Sequence, residues 1–225
     1  MGILLKSISK SLGNPPQKIL KDISFEIADG EYVSLTGRSG SGKSTLLYVM
    51  SDLDRVSEGH VVIDGKDTTN MKHEEIHEFR NRMMGFIFQF HYLLSELTGL
   101  ENVLMPTYKF KENLIRRKRA QELLEMVGLG SRMHHLPREM SGGEQQRVAI
   151  ARSLIMNPKY LFADEPTGAL DTVNAEAVID LLEKFNREEK TTVIMVTHDP
   201  DFAERARRKI VLSDGRLIRD SSKEF

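Results

Sequence analysis

Short unbroken apolar runs alternate along this chain with longer segments in which apolar residues recur at helical spacing. Ile3-Leu4-Leu5-Lys6-Ser7-Ile8 alternates, breaks at Gly13-Asn14-Pro15-Pro16 and resumes from Ile19 to Ile27 before Asp29-Gly30, which predicts two strands joined by a turn. Glu31-Tyr32-Val33-Ser34-Leu35-Thr36 reads as a buried strand, and Leu46-Leu47-Tyr48-Val49-Met50 as the opening turns of a helix. A strand follows at 58–65, a charged helix at 72–84, and a buried strand over Gly85-Phe86-Ile87-Phe88-Gln89. From Phe90 to Leu100 the connection is unusually apolar, and helices are expected at 101–108 and 112–127. The second of these places Leu114, Ile115, Leu123, Leu124 and Val127 on one side and Arg116-Arg117-Lys118-Arg119 across the other, and Gly128 ends it. That basic run reads as a solvated helix face or, alternatively, as a contact for acidic lipid or a partner.

The second half repeats the rhythm. A helix at 144–156 stops before Pro158, the strand Tyr160-Leu161-Phe162-Ala163 follows, and a helix at 173–186 carries Val173, Ala177, Val178, Leu181, Leu182 and Phe185 on one stripe. Thr192-Val193-Ile194-Met195-Val196-Thr197 is another β-branched run, and Ile210-Val211-Leu212 with Leu217-Ile218 around Asp214-Gly215 predicts a closing hairpin. Strands alternating with helices imply a parallel sheet covered on its faces, with ligands at the carboxyl ends of its strands.

The candidate chemistry lies at those ends. Gly37-Arg38-Ser39-Gly40-Ser41-Gly42-Lys43-Ser44-Thr45 fits G-x-x-x-x-G-K-[ST] between a strand and a helix, so its backbone N–H groups and the helix dipole form a site for a nucleoside triphosphate. Gly40 and Gly42 let the main chain approach the phosphates, Lys43 reaches the β and γ phosphates, and the Ser44 hydroxyl suits Mg²⁺. The N-terminal strand pair is expected to cover the base side of the nucleotide. Asp164 ends an apolar strand in a position to hold Mg²⁺ through water, and Glu165 follows as a carboxylate able to polarise an attacking water. Ser141-Gly142-Gly143-Glu144-Gln145 opens a helix that Ser141 can cap, a second anion site in the same chain.

Composition narrows the picture further. The 225 residues suffice for a substantial core, and a net charge of −1 opposes a nucleic-acid partner. The chain has no cysteine, hence neither disulfides nor thiol chemistry. No run approaches about 18 apolar residues, and Met1-Gly2-Ile3-Leu4-Leu5-Lys6 lacks the pattern of a signal peptide, so a cytoplasmic chain is expected. His134-His135 has no carboxylate or cysteine at metal spacing.

Taken with Gln89 and His198 at two further strand ends, these motifs resemble the ATP-binding subunits of ABC transporters over essentially the whole length. The resemblance implies an α/β fold: a P-loop NTPase, RecA-like parallel sheet core with an N-terminal antiparallel β subdomain and an inserted α-helical subdomain. It implies one ATPase domain spanning 1–225, with its core at 1–88 and 158–225 and the helical subdomain at about 90–157. By the same resemblance residues 37–45 are the Walker A loop, Gln89 the Q-loop glutamine and a Mg²⁺ ligand beside Ser44 and Asp164, and 141–145 the signature. Leu161 to Asp164 is then the Walker B strand, Glu165 the catalytic base, Gly168-Ala169-Leu170-Asp171 the D-loop, and His198 the switch histidine.

A head-to-tail dimer is implied, each ATP lying between Lys43 of one subunit and Ser141 of the other. Permease subunits embedded in the membrane would bring the chain to the inner face of the cell membrane. The segment from Phe90 to Leu100 is a candidate groove for them, or else core packing between two lobes. Phe88-Gln89-Phe90-His91-Tyr92-Leu93-Leu94 and Leu97-Thr98-Gly99-Leu100-Glu101-Asn102-Val103 further resemble the branch with lipoprotein-releasing, macrolide-exporting and FtsE-type ATPases. An FtsE-like role in cell division is the alternative to transport, and a non-transport soluble ABC ATPase is a third. One departure stands out: Ser9-Lys10-Ser11-Leu12-Gly13 puts Leu12 where the family usually stacks an aromatic on adenine, so weaker or less base-selective ATP binding is expected.

Overall fold

The computed structural model describes residues 2–223, so Met1 and the last two residues of the 1–225 span lie outside the described residues. Two sheets and a set of helices share two apolar cores. The first sheet is antiparallel and ordered β2-β1-β4-β5, from β1 (Ile3–Leu12), β2 (Gln17–Ile27), β4 (Glu58–Ile63) and the short β5 (Lys66–Asp67). The second is ordered β10-β9-β3-β8-β7-β6. Its strands are β3 (Tyr32–Thr36), β6 (Met84–Phe88), β7 (Tyr160–Asp164), β8 (Thr192–Val196), β9 (Arg208–Ser213) and β10 (Arg216–Asp220). All neighbouring pairs in it are parallel except β9 with β10, the predicted hairpin, whose turn residues Asp214 and Gly215 both have positive φ.

The unbroken apolar runs of β7 and β8 follow from burial on both faces. Tyr160, Phe162, Ile194 and Val196 enter the core shared with the antiparallel sheet and α1 (Lys43–Met50). Leu161, Ala163, Val193 and Met195 enter the opposite core, which takes in α4 (Arg117–Met126), α5 (Gly142–Leu154) and α6 (Thr172–Glu189). Each fully buried side chain of this size contributes roughly 1.5–3 kcal/mol. The two-residue period of a strand thus ties both halves of the molecule to one central sheet.

The helical region departs from expectation in three places. The helix expected at 101–108 is instead α3 (Gly99–Leu104) followed by a 3₁₀ helix at Met105–Phe110, because Pro106 has no N–H to continue an α ladder. The helix expected from 112 begins only at Arg117. The chain reverses first, through Lys111 in a left-handed conformation and the bond from Glu112 N–H to the Thr107 carbonyl. Leu114 and Ile115 therefore precede the helix and are 80% and 82% exposed instead of joining Leu123, Leu124 and Val127 in the core. Val173 is also exposed; it sits in the first turn of α6, ahead of the buried stripe of Ala175, Val178, Ile179, Leu182 and Phe185. Gly128 does end α4, with φ of 75°. Between them, α2 (His73–Met83) packs against β6, and α7 (Pro200–Glu204) against β3.

Candidate active site

The loop at 37–45 leaves the end of β3 and enters α1 through Gly42, which has φ of 98° and occupies the N-cap position without any side-chain cap. The helix has no acidic residue of its own in its first turn. Glycine is required where the loop turns under the sheet: a Cβ on Gly37 would stand 2.2 Å from the Leu212 carbonyl oxygen. Gly40 also has positive φ, 76°, at an exposed tip with Arg38 and Ser39. Ser41 is buried and its hydroxyl has no hydrogen-bond partner, a polar atom directed at nothing the protein itself supplies. The Lys43 ammonium donates to the Gly37 and Arg38 carbonyls at 3.0 and 3.1 Å, and Thr45 follows in the first turn of α1. Ile19 and Leu20 of β2 pack against Gly42, so the antiparallel sheet adjoins the loop. Leu12 is the last residue of β1 and is 44% exposed.

The carboxyl end of β7 meets this loop. The Ser44 hydroxyl donates to Asp164 Oδ1 at 2.9 Å, and the Tyr48 hydroxyl donates to Asp164 Oδ2 at 2.6 Å. Burial and the Asp164 carboxylate push the Tyr48 hydroxyl well above its ordinary pKa, so it stays a proton donor. Tyr48 lies one helical turn after Ser44, which is the sequence signal that could have singled it out. Asp164 is buried at the end of β7 and pairs in register with Phe88 and Val196, so Gln89 and Thr197 are the next residues on the flanking strands.

Glu165 continues the β7–β8 ladder by one bond, its N–H donating to the Val196 carbonyl at 3.0 Å, but its φ is 49°. That left-handed kink, uncommon for a side chain of this size, turns the carboxylate away from the strand line. His198 Nδ1 lies 2.8 Å from Glu165 Oε2. The ring is largely solvent-facing while the carboxylate is mostly covered, so the pair forms the rim of the site. Gln89 emerges from β6 with its side chain against Gly168, where a Cβ would come within 3.1 Å of the amide. The structure thus brings Lys43, Ser44, Asp164, Glu165 and His198 to one end of the sheet, where β3, β7 and β8 finish, with Gln89 beside the segment 168–171.

Ser141, Gly142, Gly143 and Glu144 stand apart from those strand ends, at the start of α5. Ser141 Oγ accepts from the Glu144 N–H at 3.2 Å, and Glu144 Oε2 accepts from the Ser141 N–H at 2.7 Å, a reciprocal capping box. The Ser141 amide holds the Glu144 carboxyl below the usual range. Among the described residues no hydrogen bond joins 141–144 to 37–45. The link runs the other way: Gly143 packs on Asn174, which accepts from Arg147 at 2.8 Å and is itself bonded to Asp171, the N-cap of α6. Deeper on α5, Gln146 donates to the Pro166 carbonyl at 2.7 Å and to the Phe88 carbonyl at 3.4 Å, joining the helix to both loops that leave β6 and β7. Asn174 and Gln146 carry no motif that would have marked them in advance.

The segment 90–100 divides. Phe90 and Tyr92 are about two-thirds exposed, and Arg152 holds the backbone beneath them through the His91 and Tyr92 carbonyls at 2.7 and 2.6 Å. Leu100 is buried, and Asn102 ties the intervening turn together through three carbonyls. Beside Phe88 and Arg152 lies a cavity of about 340 Å³, lined also by Leu53, Pro106 and Met156.

Residues 20–168 match the family model described as ABC transporter. A lipoprotein-releasing system ATP-binding protein LolD of Leptospira interrogans is 56% identical over all of this chain and 93% of its own length. The protein of the same description from Aquifex aeolicus is 48% identical over 89% of this chain and 90% of its own. Among solved structures, a dimeric ATP-binding cassette in a post-hydrolysis state, bound to ADP and Pi, superposes with a TM-score of 0.89 at 42% identity and 97% coverage of both chains.

Proposed function

The chain belongs to the ABC transporter ATP-binding family and hydrolyses ATP, and from that premise we propose how its own residues carry out the reaction. The loop at 37–45 binds the triphosphate, with backbone N–H groups and Lys43 on the β and γ phosphates. Ser44 and Asp164, with Gln89, would hold Mg²⁺; the convergence of a hydroxyl and a carboxylate at 2.9 Å is the hard oxygen set such an ion takes, and the ion would supply charge neutralisation at the phosphates. Tyr48 holds the second oxygen of Asp164, which keeps the carboxylate aligned. Glu165 accepts a proton from water as the water oxygen bonds to the γ phosphorus, the bond to the β-phosphate oxygen breaks, and ADP and phosphate form. His198 steadies the γ-phosphate and, through its bond to Glu165, fixes where that base points.

The core spans 1–88 and 158–225, and the helical subdomain about 90–157. Two chains assemble head to tail, so that Ser141 to Glu144 of one reach the nucleotide held by the loop of the other. ATP favours the closed pair and hydrolysis reopens it, because the γ-phosphate is the contact that differs between the states. Phe90, Tyr92 and the adjoining cavity receive a segment of a membrane permease, which holds the chain at the inner face of the membrane. Among the described residues no helix is long and apolar enough to cross a membrane. Identity with the two lipoprotein-releasing relatives favours lipoprotein release as the transport served.

The single observation that carries this reading is the Glu165–His198 pair standing one residue beyond an Asp164 bonded to the phosphate-loop serine. Glu165→Gln should bind ATP, lose turnover by at least about 100-fold and accumulate as a dimer in size-exclusion chromatography. Hydrolysis near the native rate by that variant would remove Glu165 from the mechanism.

A further inference from the structure

The turn between the 3₁₀ helix at Met105–Phe110 and α4 exposes two adjacent aliphatic side chains, Leu114 and Ile115, at 80% and 82%. Their outward position is built into the fold. Glu112 beneath them accepts from Arg82 at 2.6 Å and from Arg116 at 2.5 Å, and Arg116 also donates to the Ile155 carbonyl at 2.9 Å. Backbone bonds from Arg116 to Glu112 and from Arg117 to Leu114 close the turn. The apolar pair is thus held away from the core that buries Ala120, Leu123 and Leu124 of the following helix.

Charge around the pair is strongly one-sided. Residues 105–119 carry six cationic side chains and one carboxylate, in a chain whose net charge is −1. The one carboxylate, Glu112, is already shared by two arginines. Lys109, Lys111, Arg117 and Lys118 are exposed, and so are Met105 and Tyr108 in the preceding turn. An ordered aliphatic tip flanked along the chain by exposed cations suits an interface with apolar depth and negative surface charge.

We propose that this turn rests directly on an anionic phospholipid surface, Leu114 and Ile115 entering the acyl boundary while the surrounding lysines and arginines meet the headgroup phosphates. The contact is made by this chain itself and needs no permease, so it goes beyond the function proposed above. It also accounts for why the tip is not covered within the chain.

Co-sedimentation of the full chain with vesicles tests it, using phosphatidylcholine alone and equal parts of phosphatidylcholine and phosphatidylglycerol. The native chain should sediment with the phosphatidylglycerol vesicles only, and less so as salt is raised. Leu114→Ser with Ile115→Ser should weaken partition about 10-fold, and Arg117→Gln with Lys118→Gln about 25-fold. The ATPase rate without vesicles should stay native in both, which separates this contact from the catalytic reading. If the serine pair proves unstable in a thermal melt, the charge pair carries the test. Failure of the native chain to bind phosphatidylglycerol vesicles overturns the proposal. Partition unchanged in the serine pair, or a folded serine pair with impaired hydrolysis, also overturns it and assigns the tip to a protein contact.

Discussion

Two helices in this molecule begin at glycine-rich turns, and they meet their free N–H groups in opposite ways. The phosphate-loop helix starts at Gly42 with no side-chain cap and no acidic residue in its first turn. The signature helix starts at Ser141 and closes on itself, with Ser141 and Glu144 each satisfying the other's backbone. An uncapped helix start gains by taking a phosphate, whereas the self-capped one has two of its donors matched within the chain and leaves the Gly142 and Gly143 N–H groups outside the box. The difference teaches that the two turns are not equivalent half-sites. In the proposed dimer the first binds nucleotide within its own chain, and the second meets the nucleotide of a partner.

Substitutions at the two turns should therefore separate binding from turnover. Lys43→Ala should weaken ATP affinity of the single chain by about 100-fold, because a charge-assisted contact to two phosphates is lost. Ser141→Arg should leave single-chain affinity within about twofold, yet lower turnover by about 100-fold and prevent ATP-dependent dimerisation. Nucleotide titration and size-exclusion chromatography on the same two proteins check this, and equal loss of affinity in both would erase the distinction. The cap itself is worth only about 1 kcal/mol, so the Ser141 variant should remain folded.

Tyr48→Phe probes the first turn more gently. Removing one hydrogen bond to a buried carboxylate should lower the hydrolysis rate about 10-fold while ATP still binds. A rate equal to the native one would reduce Tyr48 to packing. The smallest effect is expected at the edge of the antiparallel sheet. Leu12→Tyr should tighten ATP relative to GTP by about fivefold if a ring there stacks on the base. Unchanged affinity for both nucleotides would place the base elsewhere.

Acidity offers one more contrast. The amide of Ser141 depresses the Glu144 carboxyl, and the Asn174 amide likewise depresses Asp171. A carboxyl whose folded pKa is lowered contributes stability above its unfolded value and loses it as pH falls through the folded one. Both caps therefore persist at neutral pH and weaken only in acid, below the ordinary carboxylate range.

Local residue types were enough to place the parallel strands, the phosphate loop, the carboxylates at the end of β7 and the closing hairpin. Strands buried on both faces read as continuous apolar runs, and glycine at Gly37, Gly40 and Gly42 answers to backbone geometry that few other residues adopt. The helical region was less legible. There an apolar residue in a turn looks the same as one on a buried face, so Leu114, Ile115 and Val173 were expected inside and stand outside. Helix boundaries near Pro106 and Lys111 depended on where the chain could turn back against its own carbonyls.

Sequence by itself determined which groups are chemically able to hold a triphosphate and activate water, because those abilities belong to residue types at fixed spacing. Only the folded chain decided that Tyr48 shares Asp164 with Ser44, that Glu165 bends toward His198, and that Asn174 ties the signature turn to the next helix. Each of these joins residues far apart in the chain or depends on a single backbone angle. Contacts of that kind are set by how the strands of one sheet come into register and how helices pack across it, which no local pattern encodes.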